Sequence, residues 1–265
     1  MLALAVESWI WYGVAVFIAI CRLVSRSLLF GSPLHLKVDD WIMCFGICTY
    51  TALVVIMNIV ADKSSNLIPP GVDVNTFTPQ EISDRVLGSK LVLVVEQMQC
   101  FTIWTMKTTL LIMYYRVTYQ LPQNIAVKIL AVFVGVSFAV MEILYFGVWC
   151  RPFHDYWAVP TPNPQCDAAT DHLITNAVFN LTSDIVMLAI GFSMAMKSRL
   201  PWKRRIIVYC IFALGIFVIT AAVLNKYYSF TNPYGSLWTF WYIREASTAT
   251  IVANLPYTWH LIRRV

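Results

Sequence analysis

Charge is scarce in this chain. Asp, Glu, Lys and Arg make up 12% of its 265 residues while 59% are hydrophobic, against about 25% charged and about 45–50% apolar in a soluble domain. So little charge argues against a solvated globular fold and points to lipid. The common signatures of soluble catalysis are also absent: no GxGxxG, Walker, HExxH or GxSxG pattern occurs. Seven cysteines are present but no CxxC, so no cysteine metal cluster is expected. Residues 1–9 carry neither a basic stretch nor an A-x-A-like site, and the first apolar run is therefore expected to remain as an uncleaved anchor. No internal repeat or low-complexity tract interrupts the chain, which reads as one domain over 1–265.

What fills the sequence instead is apolar runs of membrane-spanning length. There are seven, at about 7–28, 41–61, 91–115, 126–149, 172–196, 206–226 and 239–261. The expected fold is an all-α, seven-transmembrane helix bundle. The connections 62–90 and 150–171 hold turn-rich cores, "IPPGVDVN" and "VPTPNPQ", and read as irregular outer loops.

Basic residues give the orientation. Twelve of the nineteen Lys and Arg fall on the side of the first, third and fifth connections and the C-terminus; five fall on the other side. The N-terminus is expected outside and the C-terminus in the cytosol, with Arg116, Lys203, Arg204 and Arg205 on the cytosolic face. The net charge of +5, gathered on one side, fits anionic membrane lipid rather than nucleic acid. Tryptophans cluster near the span ends as an aromatic belt would, and Trp104 alone lies mid-span. Asp39 and Asp40 open span two, where carboxylates suit a helix N-terminus as caps. Cys21, Cys48, Cys100 and Cys210 lie within spans as small buried thiols.

Six charges remain inside spans: Glu96 and Lys107 in span three, Glu142 in span four, Asp184 in span five, and Arg244 and Glu245 in span seven. A charge at mid-bilayer costs at least about 2.5–3.5 kcal/mol, so each should face a partner or a wet cavity. Glu96 and Lys107 share a face of one helix but stand roughly 16 Å apart. Lys107 therefore needs a carboxylate from another helix, and Asp184 is nearest in depth, which gives an expected buried ion pair. Glu96, Glu142, Arg244 and Glu245 all fall in outer halves and are the ligand-pocket candidates, should they converge. Cys150 and Cys166 share an outer loop and are expected to form a disulfide. His154, Asp155, Asp171 and His172 lie in or beside that loop, but their spacing matches no metal motif and no metal is expected. Span seven holds no lysine, so covalent retinal, and any cofactor, is not expected.

The stretches "CRLVSR", "VDDWIM", "MKTTLLIMYYRV", "WCRPFHDYW…C", "FNLTSDIVMLAI", "LPWKRR" and "IREASTATIVANLP" occur in this order. Their combination resembles the fungal rhodopsin-like integral membrane proteins over roughly residues 17–265. The resemblance implies a seven-helix, N-terminus-outside fold, distantly comparable to G-protein-coupled receptors, without implying retinal. Arg22, Arg26, Asp39, Asp40, Trp41, Lys107, Arg116, Cys150, Arg151, Pro152, Trp157, Cys166, Asp184, Glu245 and Pro256 match positions of that family. Two features depart from it: "AIGFSMAM" after Asp184 has no Pro-x-Pro, and the chain stops at Arg264-Val265, which disfavours signalling through a tail.

Two functions fit. One is an orphan receptor-like protein sensing a small molecule from the outer face, with membrane lipids, that ligand and a cytosolic signalling protein as partners. The other is a membrane-embedded enzyme or accessory of a fungal secondary-metabolite pathway, using Glu96, Glu142 or Glu245 as acids. Transport fits less well without an inverted repeat. The expected location is the plasma membrane or another endomembrane.

Overall fold

A computed structural model describes residues 2–30, 36–61, 63, 65–69, 72, 76–161, 163–167, 169–197 and 202–262; at 30, 164, 197, 202–208 and 259–262 it describes the backbone alone. The side chains of Lys203, Arg204 and Arg205, with residues 198–201 before them, thus lie outside the described residues. Among the described residues the regular structure is all helical, as α1 (Leu2–Phe30), α2 (Val38–Ala61), α3 (Pro79–Val117), α4 (Gln123–Leu144), α5 (Pro164–Asp167), α6 (Thr170–Lys197), α7 (Trp202–Thr231) and α8 (Leu237–Ile262). A π-helical turn, Tyr145–Trp149, extends α4, and a 3-10 turn follows at Phe153–Trp157. Six of the long helices, α1 to α4, α6 and α7, are long and apolar enough to cross a membrane. Spans five, six and seven of the sequence correspond to α6, α7 and α8.

The helix surfaces show why lipid is the natural solvent. On α4, Ile125, Ile129, Val132, Val136, Val140 and Ile143 face outward, while Val127, Leu130, Val134, Ser137 and Met141 are buried. Both sets step by three and four residues, so each is one face of a single helix. The outward face is the more apolar of the two, the reverse of a soluble helix. Because lipid tails are as apolar as leucine, burial supplies little drive to bring such helices together; close packing and interhelical hydrogen bonds supply it instead.

Those contacts centre on α3 and α8. Helix α3 packs on α2, α4 and α8, and α8 packs on α1, α2, α3 and α7. Thr49 of α2 and Thr102 of α3 share a hydrogen bond of 3.0 Å, and Tyr50 of α2 meets Ser247 of α8 at 2.7 Å. Trp104 is buried and its indole N–H donates to the Val134 carbonyl of α4 at 3.1 Å, which accounts for a tryptophan at mid-helix. Gly46 lets α2 approach α3: a Cβ there would lie 2.8 Å from Thr105 Cγ2 and 2.7 Å from Met106 Cε.

Three expectations are corrected. The connection 62–90 is not irregular throughout, because α3 begins at Pro79. Thr78-Pro-Gln-Glu81 forms a capping box: Thr78 Oγ1 accepts from the Glu81 N–H, and the Glu81 carboxylate accepts from the Thr78 N–H at 2.7 Å. Proline at the first helical position, where no N–H is needed, reinforces the start. Among the mid-run cysteines, Cys100 is buried but Cys48 and Cys210 are exposed on the lipid-facing surface.

Asp39 and Asp40 are more than caps. Both are fully buried and hold two arginines of α1, with Arg22 Nη2 3.0 Å from Asp40 and 3.1 Å from Asp39, and Arg26 3.1 Å from Asp39 and 3.0 Å from Asp40. Arg116 from the end of α3 adds a bond of 2.7 Å to Asp39. Arg22 also lies 3.8 Å over the Tyr257 ring and donates to the Ala253 carbonyl, both in α8. Four helices are thereby tied at one end of the bundle by charges that the sequence presents as surface positives.

Candidate functional site

The opposite end is capped by the connection between α4 and α6. Cys150 and Cys166 form a disulfide across sixteen residues. The loop is pinned from beneath as well: the Tyr156 hydroxyl donates to the Tyr145 carbonyl at 2.8 Å, and Asn66 Nδ2 donates to the Tyr156 carbonyl at 3.0 Å. Burial pushes the Tyr156 phenol up to about 12, so it remains a neutral donor. Under this cap lies a cavity of about 290 Å³ between α3, α5, α6, α7 and α8, walled by Tyr145, Tyr156, Phe230, Trp238 and Tyr242.

Glu96 stands at its floor, its side chain 12% exposed. His172 of α6 is buried behind it, with Nε2 3.5 Å from Glu96 Oε2. The imidazole is held between aromatic rings, 4.4 Å from Tyr145 and 5.6 Å from Trp149. Glu96 Oε2, both His172 nitrogens and the Tyr242 hydroxyl are buried, and apart from the 3.5 Å approach of His172 Nε2 to Glu96 no hydrogen bond of ordinary length satisfies them. Buried polar atoms are nearly always satisfied by protein or by something bound, and here Glu96, His172 and Tyr242 turn to one another beneath the cavity.

Further along the axis the polar groups continue. Asn176 Nδ2 lies 3.6 Å from the buried Cys100 thiol. Glu245 of α8 accepts from Asn180 of α6 at 2.7 Å and from Asn225 of α7 at 3.0 Å, and the buried Lys226 ammonium acts on both Glu245 and Glu96. Beyond them Lys107 Nζ lies 2.7 Å from Asp184 Oδ1. It also donates to Ser183 Oγ at 2.6 Å and the Asn180 carbonyl at 2.8 Å. A smaller cavity of about 60 Å³ adjoins this pair, its walls otherwise mostly apolar. Asn180, formally a glycosylation acceptor, is sealed inside the bundle.

A family model described as the fungal rhodopsin domain matches residues 21–264, nearly the whole of this helical array. The chain belongs to the fungal rhodopsin domain family. Comparison with curated proteins and with solved structures gives no match in either set. With six helices fit to cross a bilayer and this family assignment, it is a multi-pass integral membrane protein.

In this fungal rhodopsin domain the four pocket candidates do not converge. Glu96 alone lines the large cavity. Glu245 is buried below it among asparagines. Glu142 sits between α3 and α4, where the Gln97 amide, turned to donate, reaches its Oε2 at 2.8 Å. Arg244 points the other way and grips Glu7 of α1 with bonds of 2.6 and 3.0 Å. The reason is helical rotation: Arg244 and Glu245 are consecutive, so about 100° separates them and one helix face cannot hold both.

The loop histidines also part company. His154 is exposed and pairs with Asp155 at 3.1 Å, whereas His172 joins the cavity floor. Sequence reasoning missed the roles of Lys226, His172, Tyr242 and Glu7. Lys226 lies at the end of its apolar run and reads from sequence as one of the five outer basic residues, while α7 continues to Thr231 and buries it.

Proposed function

We propose that this protein is a receptor-like, seven-span membrane protein that senses a small molecule from its outer face. In this reading α8 is the seventh span. Its 26 residues reach about 39 Å at 1.5 Å each, longer than the roughly 30 Å hydrocarbon core, and Arg244 and Glu245 both have polar partners. The disulfide end faces outside, where oxidation is favoured, and the end holding Arg116 faces the cytosol, in keeping with the twelve-to-five division of basic residues.

The observation that carries the proposal is the cavity of about 290 Å³ floored by Glu96, from which buried polar side chains lead through Glu245 to Lys107 and Asp184. A ligand that engages Glu96 acts on α3, α6, α7 and α8 together, and α3 ends in Arg116, in the ionic cluster at the far end. A population shift needs a ligand with different affinity for two arrangements of the helices, and this chain of contacts is where that difference would arise. Helix α8 carries no lysine, so the ligand we propose is held without a Schiff base.

The enzyme or pathway-accessory reading has less support. Glu245 touches neither cavity, Glu142 is set aside between α3 and α4, and chemistry would rest on Glu96 alone.

The test is a thermal-unfolding screen of the purified protein against small molecules, repeated with Ser229→Trp and Leu67→Trp, which fill the cavity. Hits that raise the midpoint in the wild type and in neither variant support the reading. Hits that act equally on all three contradict it.

A further inference from the structure

The proposed function leaves the ligand's chemistry open, and the cavity restricts it. Among the described residues, the charged side chains lining it are Glu96 at the floor and Asp167 on the short helix α5, both acidic. No Lys, Arg or His joins them among the described residues. Outside the lining, the buried Lys226 acts on both Glu96 and Glu245, and Arg85 Nη1 donates to the carbonyl of Ser65 at the cavity edge at 2.9 Å. His172 also stands behind Glu96, at 3.5 Å.

The walls add a second, independent preference. Tyr145 and Tyr156 stack with centroids 5.1 Å apart, and Trp238 meets Tyr242 edge-to-face at 6.0 Å. Aromatic faces attract cations through their quadrupoles, most strongly where water is excluded. An anion would meet two carboxylates and a wall rich in aromatic side chains. A neutral apolar molecule would cover the cavity face of the Glu96 carboxylate without offering it a charge, at a cost in desolvation.

We infer that the cavity under the disulfide loop binds a compact organic cation: an alkyl- or arylalkylammonium whose charged head meets Glu96 and whose apolar body lies among Tyr145, Tyr156 and Trp238. This rests on the reading of the cavity as the ligand site. The ammonium N–H groups donate to the Glu96 carboxylate, and Asp167 draws the cation toward the mouth. Charge-assisted hydrogen bonds of this kind are about twice as strong as neutral ones.

The experiment uses the purified full chain in nanodiscs at pH 7 and three probes of one shape: phenethylamine, 2-phenylethanol and 3-phenylpropionate, with methylammonium as the head group alone. The expected result is phenethylamine binding at least ~10-fold more tightly than the alcohol, no binding by the acid, and loss of that preference in Glu96→Gln. Asp167→Asn, at a partly exposed position, weakens the amine without abolishing it and serves if Glu96→Gln fails to fold. Equal or tighter binding of the alcohol or the acid overturns the cationic class. If Ser229→Trp blocks that binding, the cavity still stands as the ligand site. Failure of both phenethylamine and methylammonium to bind overturns the inference, and amine binding that survives Ser229→Trp overturns both the inference and the site.

Discussion

Lys107 of α3 and Asp184 of α6 face each other at 2.7 Å inside the bundle, with the lysine also bonded to Ser183 and the Asn180 carbonyl. Lys107 is buried, Asp184 is largely so, and each is the other's counter-ion. Removing one leaves its partner stranded, at a cost of about 3–5 kcal/mol, whereas replacing both by apolar groups is often close to neutral. Lys107→Met and Asp184→Leu should each lower the thermal midpoint strongly, and the double variant should recover most of the loss. A double variant no more stable than the worse single one would show that the pair is not the source of the effect.

The cluster at the opposite end should respond unevenly. Arg22 is fully buried and bonds both Asp39 and Asp40, while Arg116 is 37% exposed and adds one contact to a carboxylate already held by two arginines. Arg22→Leu is expected to cost about 3–5 kcal/mol, and Arg116→Ala no more than about 1 kcal/mol. Chemical unfolding in mild detergent separates the two. Similar losses would mean that exposure does not govern the cluster.

The approach of α2 to α3 gives a steric prediction. A side chain at Gly46 meets Thr105 and Met106 at less than 3 Å, and overpacking of this kind costs about 1–3 kcal/mol. Gly46→Val should destabilise by that amount, and Gly135→Val, which has open space around it, should not. Comparing the two unfolding midpoints isolates packing from the general effect of adding a branched residue.

Opening the disulfide should loosen the cavity roof. Its sixteen-residue loop corresponds to about 3 kcal/mol in the chain-entropy account. Paired replacement Cys150→Ser with Cys166→Ser should lower stability by that order and weaken any ligand held under Tyr156, read as a shift in both midpoint and Kd. Unchanged binding would place the ligand away from the loop.

Much of this was legible in the sequence, for a physical reason. A charge in an apolar run is conspicuous, so Lys107 announces itself, and helix rise alone places Asp184 at its depth. Glu96 stands out in the same way. Charges near the ends of runs carry no such signal, because interfacial headgroups and water explain them equally well. Arg22, Arg26 and Lys226 therefore read as surface positives, and Glu7, at the first position of its run, draws no notice, although the structure pairs or buries each within the bundle. The start of α3 was hidden differently. Residues 79–90 are polar and read as loop by hydropathy, while the Thr78–Glu81 capping box specified a helix that extends beyond the apolar run. Rotation about α8 was the remaining unknown: adjacent charges had to diverge, and sequence did not say which would face inward.

The most direct test of the account is where the cavity opens. With the five free cysteines replaced, Ser229→Cys places a single thiol on the cavity wall, and intact cells are treated with a membrane-impermeant maleimide. The account predicts rapid labelling from outside, with slower labelling in Ser229→Cys carrying Leu67→Trp. Labelling that appears only after the cytosolic side is exposed would contradict it.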